Sequence, residues 1–278
     1  MYLTCYYDNN EICLGIRLDD LIIPAPMSPD ELYAGGLEAL QRLRETATGF
    51  ESTTRFVDNL KYAPVVPNPG KVLCIGLNYR RHAAETGAQE PPAPLLFSKF
   101  NNALAAHEQD IPISPKWEKV DYEAELCVVI GKRARYVSEA EALDYVLGYC
   151  NANDLSERAL QFASSQWLLG KTLDKFLPIG PYLVTADEIG DPQNLPVRGW
   201  LNGELRQNSS TSDMIFSVAQ CISYASQFFT LEPGDIISTG TPEGVILGMK
   251  EKVWMKPGDV YEVEIGPLGR LRNQLVAE

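Results

Sequence analysis

Apolar and polar positions alternate over the first 24 residues. The runs 3–7 and 12–18 flank Asp8-Asn9-Asn10, a turn signal, and predict a hairpin. A third short strand, 21–23, ends at Pro24. Leu37, Leu40 and Leu43 then recur at three-residue spacing with charges between them, which predicts a helix over 36–46. The stretch 62–70 carries Pro64, Pro67, Pro69 and Gly70 and reads as an extended connector. It divides the chain into a small N-terminal α+β unit, residues 1–69, and a body, residues 70–278.

The body is strand-rich. Short apolar runs predict strands at 71–76, 94–100, 126–130, 146–154, 236–239, 260–265 and 271–276. Asn202-Gly203 predicts a hairpin between 197–201 and 204–207. Four helices are expected. One is short, with Asn78 as N-cap and Gly87 as stop. One spans 138–142, where Ser138 and Glu141 form a capping-box pattern. One covers 156–166, and a longer one runs from Ser212 or Asp213 to about Phe229. Regular helices do not separate the strands. That excludes a doubly wound sheet and favours an α+β fold with a mixed sheet folded into a roll.

Within the strand pattern, Asp121-Tyr122-Glu123-Ala124-Glu125 leads into the apolar run 126–130. Successive side chains on a strand point to opposite faces, so Glu123 and Glu125 point the same way. Two carboxylates side by side on a buried face repel, and something positive between them would relieve that. The candidate is a hard divalent cation on oxygen ligands; the alternative is a solvated strand end. Asp154, at the polar end of the strand 146–154, lies far enough along for a return strand to bring it beside the pair. On the short helix after Asn78, His82 and Glu85 are three apart and share a face. They suit either a carboxylate-held general base or an ordinary surface pair. Arg158 and Gln161 likewise share a helix face. Lys99 ends an apolar strand, from which it is expected to snorkel into water. His107, in a polar loop, is assigned no role. The connector 170–181, with Lys171, reads as a shaped functional loop or as a plain crossover.

Charge narrows the partners. A net charge of −13 and a pI near 4.7 argue against nucleic acid and anionic membranes. No apolar run is long enough for a membrane helix, and the first residues lack the pattern of a signal peptide. Six cysteines are scattered without a C-x-x-C pair, which points to reduced core thiols and a cytoplasmic location.

Taken together and in order, "CIGLNYRRHAAE", "DYEAELCVVIG", "GYCNANDLSER", "GKTLDKFLPIGP", "LNGELRQ", "LEPGDIISTGTPEGV" and "KPGDVYEVEIGPLGRLRN" resemble the fumarylacetoacetate hydrolase family over about residues 71–273. The resemblance implies a mixed β-roll catalytic domain and a homodimer. It also implies Mg²⁺ or Mn²⁺ on Glu123, Glu125 and Asp154, with His82 and Glu85 as a catalytic dyad and Lys171 near the metal. Arg158, Gln161, Thr241 and Gly240 would contact substrate. The family's R-D-x-Q pattern is here Arg158-Ala159-Leu160-Gln161, which lacks the acid.

These residues are expected to make a metal-dependent hydrolase that cleaves the C–C bond of an acylpyruvate or related β-diketo acid. The metal would stabilise an enolate leaving group while His82 activates water. Oxaloacetate decarboxylation, or hydratase or lyase action on a related 2-oxo acid, is the alternative. Removing Glu123 or Glu125 is expected to abolish metal binding while largely sparing the fold.

Overall fold

A computed structural model describes residues 1–46, 55–57 and 60–278. The chain opens with strands β1 (Tyr2–Asp8), β2 (Glu11–Leu18) and β3 (Leu21–Pro24), helix α1 (Pro29–Thr46) and strand β4 (Arg55–Phe56). Then come β5 (Val72–Gly76), helix α2 (Arg80–Thr86), β6 (Leu95–Ser98), β7 (Leu104–Ala105), β8 (Ile111–Ile113), β9 (Val120–Asp121), β10 (Ala124–Ile130), β11 (Val146–Asn153) and β12 (Ser156–Glu157). Two helical turns, α3 (Arg158–Gln161) and α4 (Leu168–Lys171), precede β13 (Leu177–Thr185) and α5 (Ala186–Ile189). The chain ends with β14 (Pro196–Leu201), β15 (Glu204–Ser210), α6 (Val218–Phe228), β16 (Ile236–Ser238), β17 (Val260–Ile265) and β18 (Arg270–Ala277).

The α+β, sheet-dominated architecture follows the strand pattern. One large sheet runs β4-β3-β2-β1-β13-β11-β10-β16-β5-β6, with β7 added beside β13. A second runs β15-β14-β17-β18-β8. The sheets are mixed: β5 is parallel to β16 and β8 is parallel to β18, while most neighbours are antiparallel. The N-terminal hairpin continues the large sheet, because β1 pairs with β13.

Strand β10 explains why its sequence is an unbroken apolar run. Leu126, Val128 and Ile130 enter the core shared with Tyr261, Val263 and Leu271 of the second sheet. Cys127 and Val129 enter the opposite core, against Leu32, Leu40 and Leu43 of α1. A strand covered on both faces needs no polar alternation.

The helices depart most from expectation. Helix α1 starts at Pro29, earlier than the leucine repeat suggests. Ser28 and Glu31 form a capping box (2.7 and 3.2 Å) with proline at the first helical position. Gly36 kinks it at φ 55°, where a Cβ would lie 2.0 Å from the Gly131 carbonyl. Helix α6 begins only at Val218, capped by Ser217 and Gln220. Asn78 does not cap α2, and Gly87 does close it in the left-handed region (φ 70°). The expected helix 156–166 reduces to the single turn α3. The Ser138–Glu141 hydrogen bond (2.5 Å) closes a turn rather than a helix, since so few residues cannot offset the cost of nucleation.

Candidate active site

Strands β10 and β11 pair with Glu125 opposite Ala152 and Ala124 opposite Asn153. This register carries Asp154 past the end of β11 to Glu123, whose carbonyl accepts the Asp154 amide (2.9 Å). The side chains of Glu123 and Glu125 leave the strand on one face. One oxygen from each of Glu123, Glu125 and Asp154 lies within 4.8 Å of the others, and all three residues are buried.

Buried cations surround these carboxylates. Lys171 Nζ donates to Glu123 Oε2 (2.7 Å) and Asp154 Oδ2 (2.8 Å). Arg158 donates to Glu123 Oε1 (2.7 Å), to Asp121 Oδ2 through two nitrogens (2.8 and 2.9 Å) and to Gln161 (2.8 Å). Burial pushes the Glu123 carboxyl up, but Lys171, Arg158 and His82 outweigh it and hold it below the usual carboxylate range. Burial, and then the charges of Asp154 and Glu123, push Glu125 well above that range. Glu125 Oε2 accepts from the Ser238 hydroxyl (2.5 Å) and the Gly240 amide (3.0 Å).

The donor set fits a hard divalent cation. All three groups offer oxygen, and they converge on one another while buried. A cation would also relieve the like-charge repulsion that raises Glu125.

His82 and Glu85 stand across the cavity on α2. His82 Nδ1 lies 2.9 Å from Glu85 Oε1, and the other Glu85 oxygen accepts the Gly244 amide (3.0 Å). A Cβ at Gly248 would approach the Glu85 carboxylate to 2.5 Å, so a glycine there makes room for the dyad. His82, Glu85, Glu123, Glu125, Arg158, Gln161, Lys171 and Thr241 all line one cavity of about 530 Å³. Asp154 is buried behind that surface. Two of the expected substrate contacts are held internally: the Gly240 amide on Glu125, and the Thr241 hydroxyl, which donates to the Ala124 carbonyl (3.1 Å).

Lys99 corrects the sequence reading. It does not snorkel; its side chain is fully buried. Nζ donates to the carbonyls of Leu155 (3.0 Å) and Phe176 (2.5 Å) and lies 2.5 Å from Asp154 Oδ1. Three acceptors replace the water that an ammonium would otherwise need. Three further residues escaped the sequence reading. Asp121 binds Arg158 and the Ile246 and Leu247 amides (2.8 and 3.0 Å), fixing the loop above the cavity. Gln207 links the Ala124 amide to the Thr241 hydroxyl (both 2.9 Å). Asn78 holds the Thr239 carbonyl (2.8 Å) and the Phe216 amide (2.8 Å). None shows a local sequence signal, because the partners named here all lie at least 34 residues away along the chain.

Residues 71–276 match the family described as fumarylacetoacetate (FAA) hydrolase C-terminal. The chain is 46% identical over 231 residues to a fumarylacetoacetate hydrolase domain-containing protein 2 homolog of Dictyostelium discoideum, covering 79% of this chain and 75% of that protein. It is 44% identical over 220 residues to the mitochondrial oxaloacetate tautomerase fahd2 of Xenopus laevis, covering 78% and 69%. A solved fumarylacetoacetate hydrolase from psychrophilic Exiguobacterium antarcticum superposes with a TM-score of 0.81 at 33% identity, covering both chains fully. The mitochondrial relatives overturn the cytoplasmic expectation. All six cysteines are free thiols here, but free thiols separate reducing from oxidising compartments and do not separate cytosol from mitochondrion. Among the described residues, no helix is long and apolar enough to cross a membrane.

Proposed function

Because the chain belongs to the fumarylacetoacetate hydrolase family, we propose that it is a divalent-metal-dependent enzyme interconverting the keto and enol forms of oxaloacetate or a closely similar 2-oxo acid. The observation that carries this reading is a buried Glu123–Glu125–Asp154 cluster facing the His82–Glu85 dyad across one cavity. The similarity to proteins named oxaloacetate tautomerase supports the choice of substrate.

Glu123, Glu125 and Asp154 would hold Mg²⁺ or Mn²⁺, which supplies Lewis acidity at the 2-oxo oxygen. His82 is the base. Its Nδ1 is engaged by Glu85, so Nε2 is the ring nitrogen available to take a proton from substrate C3. Glu85 fixes the ring and favours the imidazolium that forms. Return of that proton to the C2 oxygen yields the enol. Lys171 offsets the negative charge of the floor and stands ready to donate to the developing oxyanion. Thr241 shapes the cavity wall.

The test is to mix pure protein and Mg²⁺ with oxaloacetate and follow decay of the enol absorbance. Acceleration that disappears with chelator and returns with Mg²⁺ or Mn²⁺ is expected. No acceleration at any metal concentration would sink the reading.

Hydrolysis of an acylpyruvate is the second reading, favoured by a cavity larger than a four-carbon acid requires and by the superposed fumarylacetoacetate hydrolase. In it His82 deprotonates water, which adds to the distal carbonyl and releases a carboxylic acid and pyruvate. Pyruvate release from acetylpyruvate distinguishes the two. A homodimer, and a small N-terminal domain over residues 1–69 beside a catalytic domain over 70–278, are further proposals. Light scattering and expression of residues 70–278 test them.

A further inference from the structure

Tautomerisation of oxaloacetate would use one side of the cavity. The same cavity is also lined by apolar residues, among them Ile75, Phe97, Phe162 and Trp167. The wall is built, not incidental. A Cβ at Gly76 would come within 2.6 Å of the Trp167 ring, so glycine lets the indole lie against the end of β5. Phe97 meets Trp167 edge-on, with centroids 5.5 Å apart at 68°. Lys171 Nζ stands 5.2 Å from the centroid of the same Phe97 ring. The apolar wall therefore begins one side chain away from the carboxylate floor. Phe162 lines the cavity while remaining 55% exposed, a large ring left facing solvent. The volume of about 530 Å³ is several times what a four-carbon acid fills and lies in the range that encloses larger ligands.

We propose that Phe97, Trp167 and Phe162 form a second subsite, which takes the aromatic arm of a larger 2-oxo acid, so that the protein also enolises arylpyruvates. The chemistry rests on the tautomerase reading; the ligand class rests on the wall. In the step, the C3–H bond breaks and His82 takes the proton. The electron pair becomes the C2–C3 double bond, and a proton is delivered to the C2 oxygen. Nothing is oxidised or reduced. The aryl ring leaves water for an edge of aromatic carbon, while the 2-oxo acid end keeps its place at the floor.

Phenylpyruvate and oxaloacetate are assayed side by side with wild type, Trp167→Ala and Phe162→Ala. In parallel, calorimetry with Mn²⁺ compares N-phenyloxamate with oxamate, two unreactive mimics that differ only in the ring. Each variant should lose about tenfold or more in kcat/KM for phenylpyruvate and stay within about twofold for oxaloacetate, as expected for losing burial of one ring. N-phenyloxamate should bind wild type about tenfold more tightly than oxamate, an advantage that Trp167→Ala removes. Equal losses on both substrates, or no preference for N-phenyloxamate in wild type, would overturn the subsite. Exposed Phe162 guards against misreading a folding defect in Trp167→Ala. A wild type that prefers N-phenyloxamate yet enolises neither acid would keep the subsite and refute the tautomerase reading instead.

Discussion

Two depressions of similar size each hold one of the chain's two histidines. The cavity at His82 measures about 530 Å³ and the groove at His107 about 480 Å³. They differ in what converges on them. His82 has a carboxylate on Nδ1 and a cluster of buried acids and cations opposite. His107 accepts the Arg272 backbone amide on Nδ1 (3.1 Å) and lies edge-on to Tyr62. Burial, assisted by Arg272, pulls its pKa down to about 4, so it stays neutral near pH 7. Volume does not separate a chemical site from a packing seam; the charges that share the space with the histidine do.

The sharpest way to break this contrast is to remove a floor carboxylate. Glu125→Gln should abolish Mn²⁺ binding, measured by calorimetry, together with turnover. Glu123→Ala should do the same and also destabilise. Contrary to the expectation from sequence, Glu123 bridges two buried cations; Arg158 keeps Asp121 and Lys171 keeps Asp154, so losing the bridge costs about 1–3 kcal/mol of charged hydrogen bonding. Denaturant melts of the two variants should therefore differ, and equal stability would contradict the role of Glu123 as a bridge.

The next largest effect belongs to the base. His82→Ala should lower kcat by about 10² to 10⁴-fold while Mn²⁺ affinity is retained. Full turnover in that variant would remove the distinction between the two histidines. Lys99→Met tests the buried ammonium beside Asp154. Losing a group that orients a ligand typically weakens metal affinity by about 10 to 100-fold, so the Mn²⁺ titration should shift by that amount.

The smallest effect lies in the groove. Folding must keep His107 neutral below its unfolded pKa, near 6.5, until the folded value near 4 is reached. In that window the unfolded chain binds more protons, so stability falls as pH falls, by about 2 kcal/mol in total once solvent exposure is allowed for. His107→Gln should flatten this slope between pH 6.5 and 4 in thermal melts and leave turnover unchanged. An unaltered slope, or a loss of activity, would show that the groove is misread.

How far each part was legible depends on the range of the interaction that makes it. The common facing of Glu123 and Glu125, two residues apart on an extended chain, the i, i+3 pair on α2 and the Gly87 stop are local. Period and turn chemistry express them, so Glu123, Glu125, His82 and Glu85 could be picked out directly. Helix lengths were less legible. A polar stretch such as 156–166 is held in one helical turn by partners elsewhere, including Asp121 on Arg158.

By itself, the sequence determined the strand-rich class, the shared face of Glu123 and Glu125, and the spacing of His82 and Glu85. Periodicity of the backbone converts those directly into direction. Tertiary structure alone decided that Lys99 points inward and that Asn78 ties loops instead of capping a helix. It also decided that Asp121 and Gln207 hold the loop over the cavity and that Phe97, Trp167 and Phe162 line the same cavity. Those choices turn on burial and on partners scattered along the chain, and no local pattern of residues encodes which distant carbonyl, carboxylate or ring will arrive.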